Sequence, residues 1–169
     1  MNEWRGSGSE NACETKAHVL AHMEKALESY FGMKGRSDEA WVLVKSPSLF
    51  IEGNTWVPAF AGYQQAGASP ERGERVPDWI CEVPLPSDED GARSRVGDYL
   101  RAGVQNVWIC DIQGRRIEIY TRLPDDPCRA SLVCVDEGDP RGGDFLRPRK
   151  GIPFDIRAMW PERQQKNPP

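Results

Sequence analysis

Two histidines are the first residues whose spacing carries chemistry. His18 and His22 stand four apart, so on a helix they share one face a turn apart, the separation of a metal-chelating pair. No H-E-x-x-H motif and no third ligand accompanies them, and the sequence reads them as surface or boundary side chains. The five cysteines, Cys13, Cys81, Cys110, Cys128 and Cys134, are odd in number and contain no C-x-x-C pair. That pattern argues against a zinc site and a disulfide framework and for a reducing, cytoplasmic compartment. Cys81 and Cys110 lie inside apolar runs, where a thiol serves as a small core side chain. Arg141, Arg147, Arg149 and Lys150 against a single Asp144 make a basic loop able to touch phosphates, although the acidic run Asp136, Glu137 and Asp139 just before it offsets the field. No P-loop, dinucleotide-binding glycine motif or G-x-S-x-G nucleophile elbow is present.

These side chains need a scaffold, and 169 residues with 38% hydrophobic content suffice for one domain with a packed core. The charge balance, 22 Lys plus Arg against 26 Asp plus Glu, and a pI near 5.3 give no global attraction to nucleic acid or to an anionic membrane. No apolar run approaches the roughly 18 residues of a membrane span, and the polar start from Met1 to Glu14 has no signal-peptide pattern.

Residues 1–13 and 161–169 are polar, and the sequence predicts frayed ends around a single domain over 14–160. Ala17, Leu20, Met23, Ala26, Leu27, Tyr30 and Phe31 recur at helical spacing between Glu14 and Phe31, with Gly32 as the exit. Strands follow at Trp41–Lys45, Ser48–Ile51 and Thr55–Phe60, with Glu52-Gly53-Asn54 as a turn, which together suggest a meander. The stretch Gln64 to Arg75 reads as loop, and Trp79–Val83 as a short apolar strand stopped by Pro84 and Pro86. A second helix starts at Ser87-Asp88 and leaves at Gly103. Val107–Cys110 has the continuous apolar pattern of a strand covered on both faces, and Ile117–Tyr120 alternates as its hairpin partner. Ser131–Val135 is a further strand, and Ile152–Ile156 carries apolar residues suited to closing the core. The order is that of an α+β or α/β domain.

Val76-Pro77-Asp78-Trp79-Ile80-Cys81-Glu82-Val83, then Tyr99 to Val104, then Val107-Trp108-Ile109-Cys110-Asp111, resembles the Uma-two family of "putative restriction endonucleases", in the PD-(D/E)xK nuclease superfamily. Val57-Pro58-Ala59-Phe60-Ala61-Gly62-Tyr63 is similar to the family's V-P-D-L-A-G-W segment, and Trp160-Pro161 to its usual end. The resemblance implies a restriction-endonuclease-like core: helix, three-stranded meander, helix, then further strands in a mixed sheet. It also implies phosphodiester cleavage with Mg²⁺ or Mn²⁺, held by acidic side chains from neighbouring strands beside a Lys.

By that resemblance Glu82 keeps the acid of the C-E-V segment and is the metal candidate, with Ala59 at the position of its expected partner. Ser46 or Ser48 replaces another acid, and Arg95 replaces the Lys one turn before Tyr99. Arg neutralises a phosphate but is a poor proton carrier. Asp78, four before Glu82, is a weaker candidate to share an ion, the alternative being that it caps the strand entry while Glu82 pairs with Arg95. The sole D/E-x-K triplet, Glu14-Thr15-Lys16, precedes Pro77-Asp78, the wrong order for the motif. The favoured expectation is a nuclease-fold domain that has lost hydrolysis and needs no cofactor. Such a domain serves as a binding or assembly module whose partner is DNA, a second copy of the chain or an active relative. The alternatives are a Mg²⁺- or Mn²⁺-dependent DNA endonuclease using Glu82, Asp78, Arg95 and a further acid such as Glu24, and a protein-interaction domain unrelated to nucleic acid.

Overall fold

The computed structural model describes residues 7–32, 40–65, 75–139 and 156–160. The basic loop around Arg141 to Lys150, most of the predicted Gln64–Arg75 loop, residues 152–155 and the tail 161–169 lie outside them. The first helix, α1 (Ser7–Gly32), begins seven residues before the predicted start, inside the stretch expected to fray. Its polar first two turns carry no apolar stripe, so periodicity could not register them. Its buried face is Val19, Met23, Leu27 and Phe31, at strict four-residue spacing, while the predicted Ala17 is exposed and Leu20 and Ala26 only flank that face.

The strands are β1 (Ala40–Lys45), β2 (Leu49–Ile51), β3 (Asn54–Trp56), β4 (Phe60–Gln65), β5 (Trp79–Glu82), β6 (Asn106–Asp111), β7 (Arg116–Leu123) and β8 (Asp126–Asp136). The predicted three-strand meander is corrected in one respect. The Thr55–Phe60 stretch is split at Val57-Pro58-Ala59, where Pro58 has no N–H for a ladder. β2 and β3 therefore close as a separate hairpin, and the meander in the main sheet is β1, β4 and β5. That sheet has six strands in the order β1-β4-β5-β6-β7-β8, antiparallel throughout except for the parallel β5–β6 pair.

The parallel pair requires a crossover, and α2 (Glu89–Ala102) supplies it. The helix runs through Gly91 and Gly97 because Ala92, Val96, Tyr99 and Leu100 are buried against the sheet, and tertiary packing outweighs the glycine penalty. Gly103 ends it at φ 112°, a left-handed conformation that favours glycine, with its N–H bonded back to Leu100. With α1 on one face and α2 on the other, β5 and β6 are buried at every residue, which explains their unbroken apolar runs. Cys81 and Cys110 are fully buried on the α1 face.

Aromatic rings organise that α1 face. Phe31 lies 5.1 Å from Trp79, and Trp79 meets Trp108 edge-on at 5.0 Å. Gly62 on β4 sits under these rings: a Cβ there would stand 3.2 Å from Trp79 and 3.4 Å from Trp41. Indoles locked in a packed core yield little, so Gly62→Val is expected to destabilise the fold by about 1–3 kcal/mol through overpacking. Urea unfolding followed by tryptophan fluorescence measures it, and an unchanged midpoint would contradict the tight Gly62–indole contact.

Candidate functional site

Pairing of β1, β4 and β5 brings three chain positions together at one end of the sheet. Lys45 pairs with Phe60 across β1–β4, and Phe60 pairs with Cys81 across β4–β5. One residue further on each strand stand Ser46, Ala59 and Glu82. The Ser46 N–H donates to the Ala59 carbonyl at 2.9 Å. All three line a cavity of about 240 Å³, together with Lys16, Lys45 and Arg95. Ser46 adopts φ 47°, an unusual backbone state for serine. Ser48, the other position weighed for the missing acid, is not among the lining residues. Ala59 occupies the bend before β4 and also touches the α1-side core.

Glu82 is buried, and its Oε1 is already engaged. Arg95 Nε donates to it at 3.1 Å and the Tyr99 hydroxyl at 2.6 Å. Arg95 and Tyr99 stand one turn apart on α2, so both reach the same strand end. Arg95 also donates through Nη2 to Asp88 at 3.1 Å, and its guanidinium carbon lies 5.4 Å from the centre of the Trp56 ring, contributed by the β2–β3 hairpin. Burial works against the charged guanidinium, but the hydrogen bonds it donates to Glu82 and Asp88 outweigh it and raise its pKa further. Burial first, and then the Glu82 carboxylate, push the Tyr99 phenol far above its ordinary value. Neither group delivers or takes a proton near neutral pH. The chemistry of this arrangement is charge neutralisation inside the domain.

The remaining predicted residues fall elsewhere. Asp78 precedes β5, where its Oδ2 accepts the Gln64 N–H at 2.8 Å and Arg75 Nη2 at 3.1 Å, and its own N–H bonds the Gly62 carbonyl. Four residues of strand, at about 3.3 Å each, separate it from Glu82 by roughly 13 Å. The expectation that the two might share an ion is therefore corrected. Glu24 on α1 forms an ion pair with Lys45 and does not line the cavity. Lys16 does line it. The one acid-x-Lys triplet, set aside for its order in the chain, thus brings its lysine to the cavity by the approach of α1, which sequence order does not encode.

A second polar cluster on the other flank of α2 escaped sequence reasoning. Arg93 Nη2 donates to the buried Glu118 at 2.8 Å, the Tyr120 hydroxyl donates to the same carboxylate at 2.9 Å, and Arg116 Nε stands 3.0 Å from the buried Asp111. Burial alone would raise the Glu118 carboxyl, but the hydrogen bonds from Arg93 and Tyr120, with the charges of Arg93 and Arg116, hold it below its ordinary value. Glu89 nearby is raised, by burial and then by Asp111. Register puts Glu82 beside Ile109 and Ile109 beside Glu118, so the two carboxylates flank α2 about two strand spacings, roughly 10 Å, apart. The signal available was the alternation Ile117-Glu118-Ile119, which turns Glu118 away from the α1-side core.

Among the described residues no three His, Cys, Asp or Glu side chains converge as ligands for a metal ion, and no helix is long and apolar enough to cross a membrane.

A family model described as "Uma2: Putative restriction endonuclease" matches residues 15–157. A solved structure described as a putative nuclease from Anabaena variabilis superposes with a TM-score of 0.61, covering 86% of this chain and 79% of that one at 15% sequence identity. At that identity the likeness concerns the fold. No curated protein matches the sequence.

Removing one partner of a buried pair leaves an uncompensated charge. Arg95→Met is expected to destabilise the protein by about 3–5 kcal/mol, and Tyr99→Phe by about 1–3 kcal/mol through loss of a hydrogen bond to a charged group. Adding Glu82→Gln to Arg95→Met should recover part of the loss, because the stranded charge is gone. Urea denaturation of the parent, Glu82→Gln, Arg95→Met and the double variant as a double-mutant cycle measures this, and strictly additive losses would show that Glu82 and Arg95 are not coupled.

Proposed function

From the premise that the chain belongs to the Uma2 family of putative restriction endonucleases, we propose that it is a nuclease-fold domain that no longer hydrolyses phosphodiesters and acts as a binding or assembly module with DNA as its partner. One observation carries the reading. Oε1 of Glu82, the single acid at the three strand ends, accepts from Arg95 and Tyr99, while its neighbours across the sheet are Ser46 and Ala59.

The family implies a divalent ion in this cavity, and the residues present do not fit one. Hard ions take several oxygens, preferably from more than one carboxylate. Here Ala59 offers a methyl group and Ser46 a neutral hydroxyl, while Asp88 is tied to Arg95. The guanidinium of Arg95 supplies the positive charge that would otherwise balance Glu82. What the cavity retains is Lys16, and Lys45 in its pair with Glu24, basic side chains of the kind that contact a phosphate backbone.

Incubated with Mg²⁺ or Mn²⁺, the protein is expected to leave supercoiled and linear DNA intact while binding labelled duplex with a steep loss of affinity as salt rises. Metal-dependent nicking that disappears in Glu82→Ala would establish the endonuclease reading in its place. Salt-insensitive or undetectable binding would favour a protein-interaction domain.

Restoration tests the geometry directly. Ala59→Asp with Arg95→Lys returns a second carboxylate to the cavity and exchanges the clamping fork for a point charge. The double variant is expected to bind Mn²⁺ at least about tenfold more tightly than the parent, by calorimetric titration, which corresponds to roughly 1.4 kcal/mol. Indistinguishable titrations of two folded proteins would remove Ala59 from the metal position.

A further inference from the structure

β8 is the last strand of the main sheet, and no strand lies on its outer side among the described residues. A free strand edge is a row of unpaired N–H and C=O groups, which proteins close with proline, lysine, a bulge or a covering segment. The start of β8 is closed in this way: Pro127 has no N–H to offer, and a register shift opposite Arg122 and Leu123 interrupts the ladder to β7. From Ala130 to Asp136 the ladder is regular. That stretch, Ala-Ser-Leu-Val-Cys-Val-Asp, contains no proline, no lysine and no charge before its last residue.

The Glu137 N–H bonds the Arg115 carbonyl on the β7 side, so the odd positions of β8 bond inward. Ala130, Leu132 and Cys134 turn their N–H and C=O outward. Their side chains stand on the α2 side of the sheet, where Ala130 packs, while Val133 and Val135 pack on the α1 side. Leu132 and Cys134 are exposed, Leu132 at 52%. The two ends of the stretch differ in charge. Arg129, just before it, is exposed and forms no ion pair among the described residues, whereas Asp136 closes it and Glu137 follows.

We propose that the outer edge of β8 is a self-association surface, on which a second copy of this chain adds its own β8 antiparallel across a two-fold axis through Val133. That axis overlaps the whole regular stretch. Leu132 faces Cys134 of the second copy, and these two positions exchange main-chain hydrogen bonds through the groups they turn outward. The exposed Leu132 and Cys134 cover each other, twice by symmetry. Arg129 of each chain meets the acidic end, Asp136 and Glu137, of the other, whereas parallel alignment would set like charges side by side. Pairing occupies both β8 edges, so the assembly closes at two copies. β8 lies three strands from β5, at the sheet edge opposite β1. The dimer therefore leaves the Glu82 cavity open, and it does not depend on what that cavity binds.

Sedimentation velocity of the full chain over a concentration series tests the proposal, together with amide hydrogen exchange read residue by residue. The expected species has twice the 19.0 kDa chain mass, and the amides of Ala130, Leu132 and Cys134 should gain protection as it forms. Leu132→Lys and Arg129→Glu, whose folding is checked by circular dichroism, should each raise the dimer Kd by at least about tenfold, the effect of Arg129→Glu shrinking at high salt. Phe50→Lys, at the exposed residue of the β2–β3 hairpin, should leave the dimer unchanged. A folded parent that stays monomeric at millimolar concentration would overturn the proposal. So would a dimer that both folded β8 variants leave intact or that Phe50→Lys dissociates, since either result puts the interface elsewhere. Unchanged exchange of those three amides on association, measured on the parent alone, would overturn it as well.

Discussion

A carboxylate taken out of water must be met by charge and hydrogen bonds or it destabilises the fold around it. Glu82 imposes that requirement at the end of β5, beneath α2. The helix answers with two side chains one turn apart, Arg95 and Tyr99, both directed to Oε1. Arg95 is in turn fixed from outside by Asp88 and by the Trp56 ring. The β2–β3 hairpin, the start of α2 and the end of β5 are thereby joined through one guanidinium. A planar fork that is always charged suits this task better than a lysine, which offers a hydrated point charge on a flexible stem.

The same requirement recurs on the opposite flank of α2, where Arg93 and Tyr120 engage Glu118. Ile109 lies between the two carboxylates in the sheet, and the apolar stripe of α2 packs over it. The crossover helix is located by apolar burial along its middle and by an arginine on either side. Burial supplies most of the attraction but is non-directional. The two arginine–carboxylate contacts are directional, and they fix the register of the helix over the sheet.

This arrangement bears on what the family scaffold can do here. Carboxylates on adjacent strand ends can converge on one ion, and the ends of β1, β4 and β5 do converge, at Ser46, Ala59 and Glu82. Two of those positions carry no carboxylate, and Glu82 without Arg95 would be a buried charge lacking a counter-ion. The guanidinium of Arg95 from the facing helix supplies that counter-ion, covalently attached, permanently charged and within hydrogen-bond reach. The contacts that hold Glu82 serve the stability of the fold.

Much of this was legible in the residues themselves. The apolar periodicity of α1, the continuous apolar runs of β5 and β6, the alternation of β7 and the glycine exit of α2 each report burial along a single element, and short-range repetition is enough to encode it. The segments Val57–Tyr63, Val76–Val83, Tyr99–Val104 and Val107–Asp111 pointed to the family. Tertiary structure alone decided that Thr55–Phe60 divides into hairpin and sheet strand, that Asp78 lies a strand length from Glu82, and that Lys16 from the first helix enters the cavity. It also placed Ser46 rather than Ser48 at the cavity wall, and it set Arg93 and Arg95, two residues apart, on opposite flanks of α2. Each of these depends on strand register and on the approach of one element to another. Those are set by the packing of the whole core, and no local window of sequence contains them.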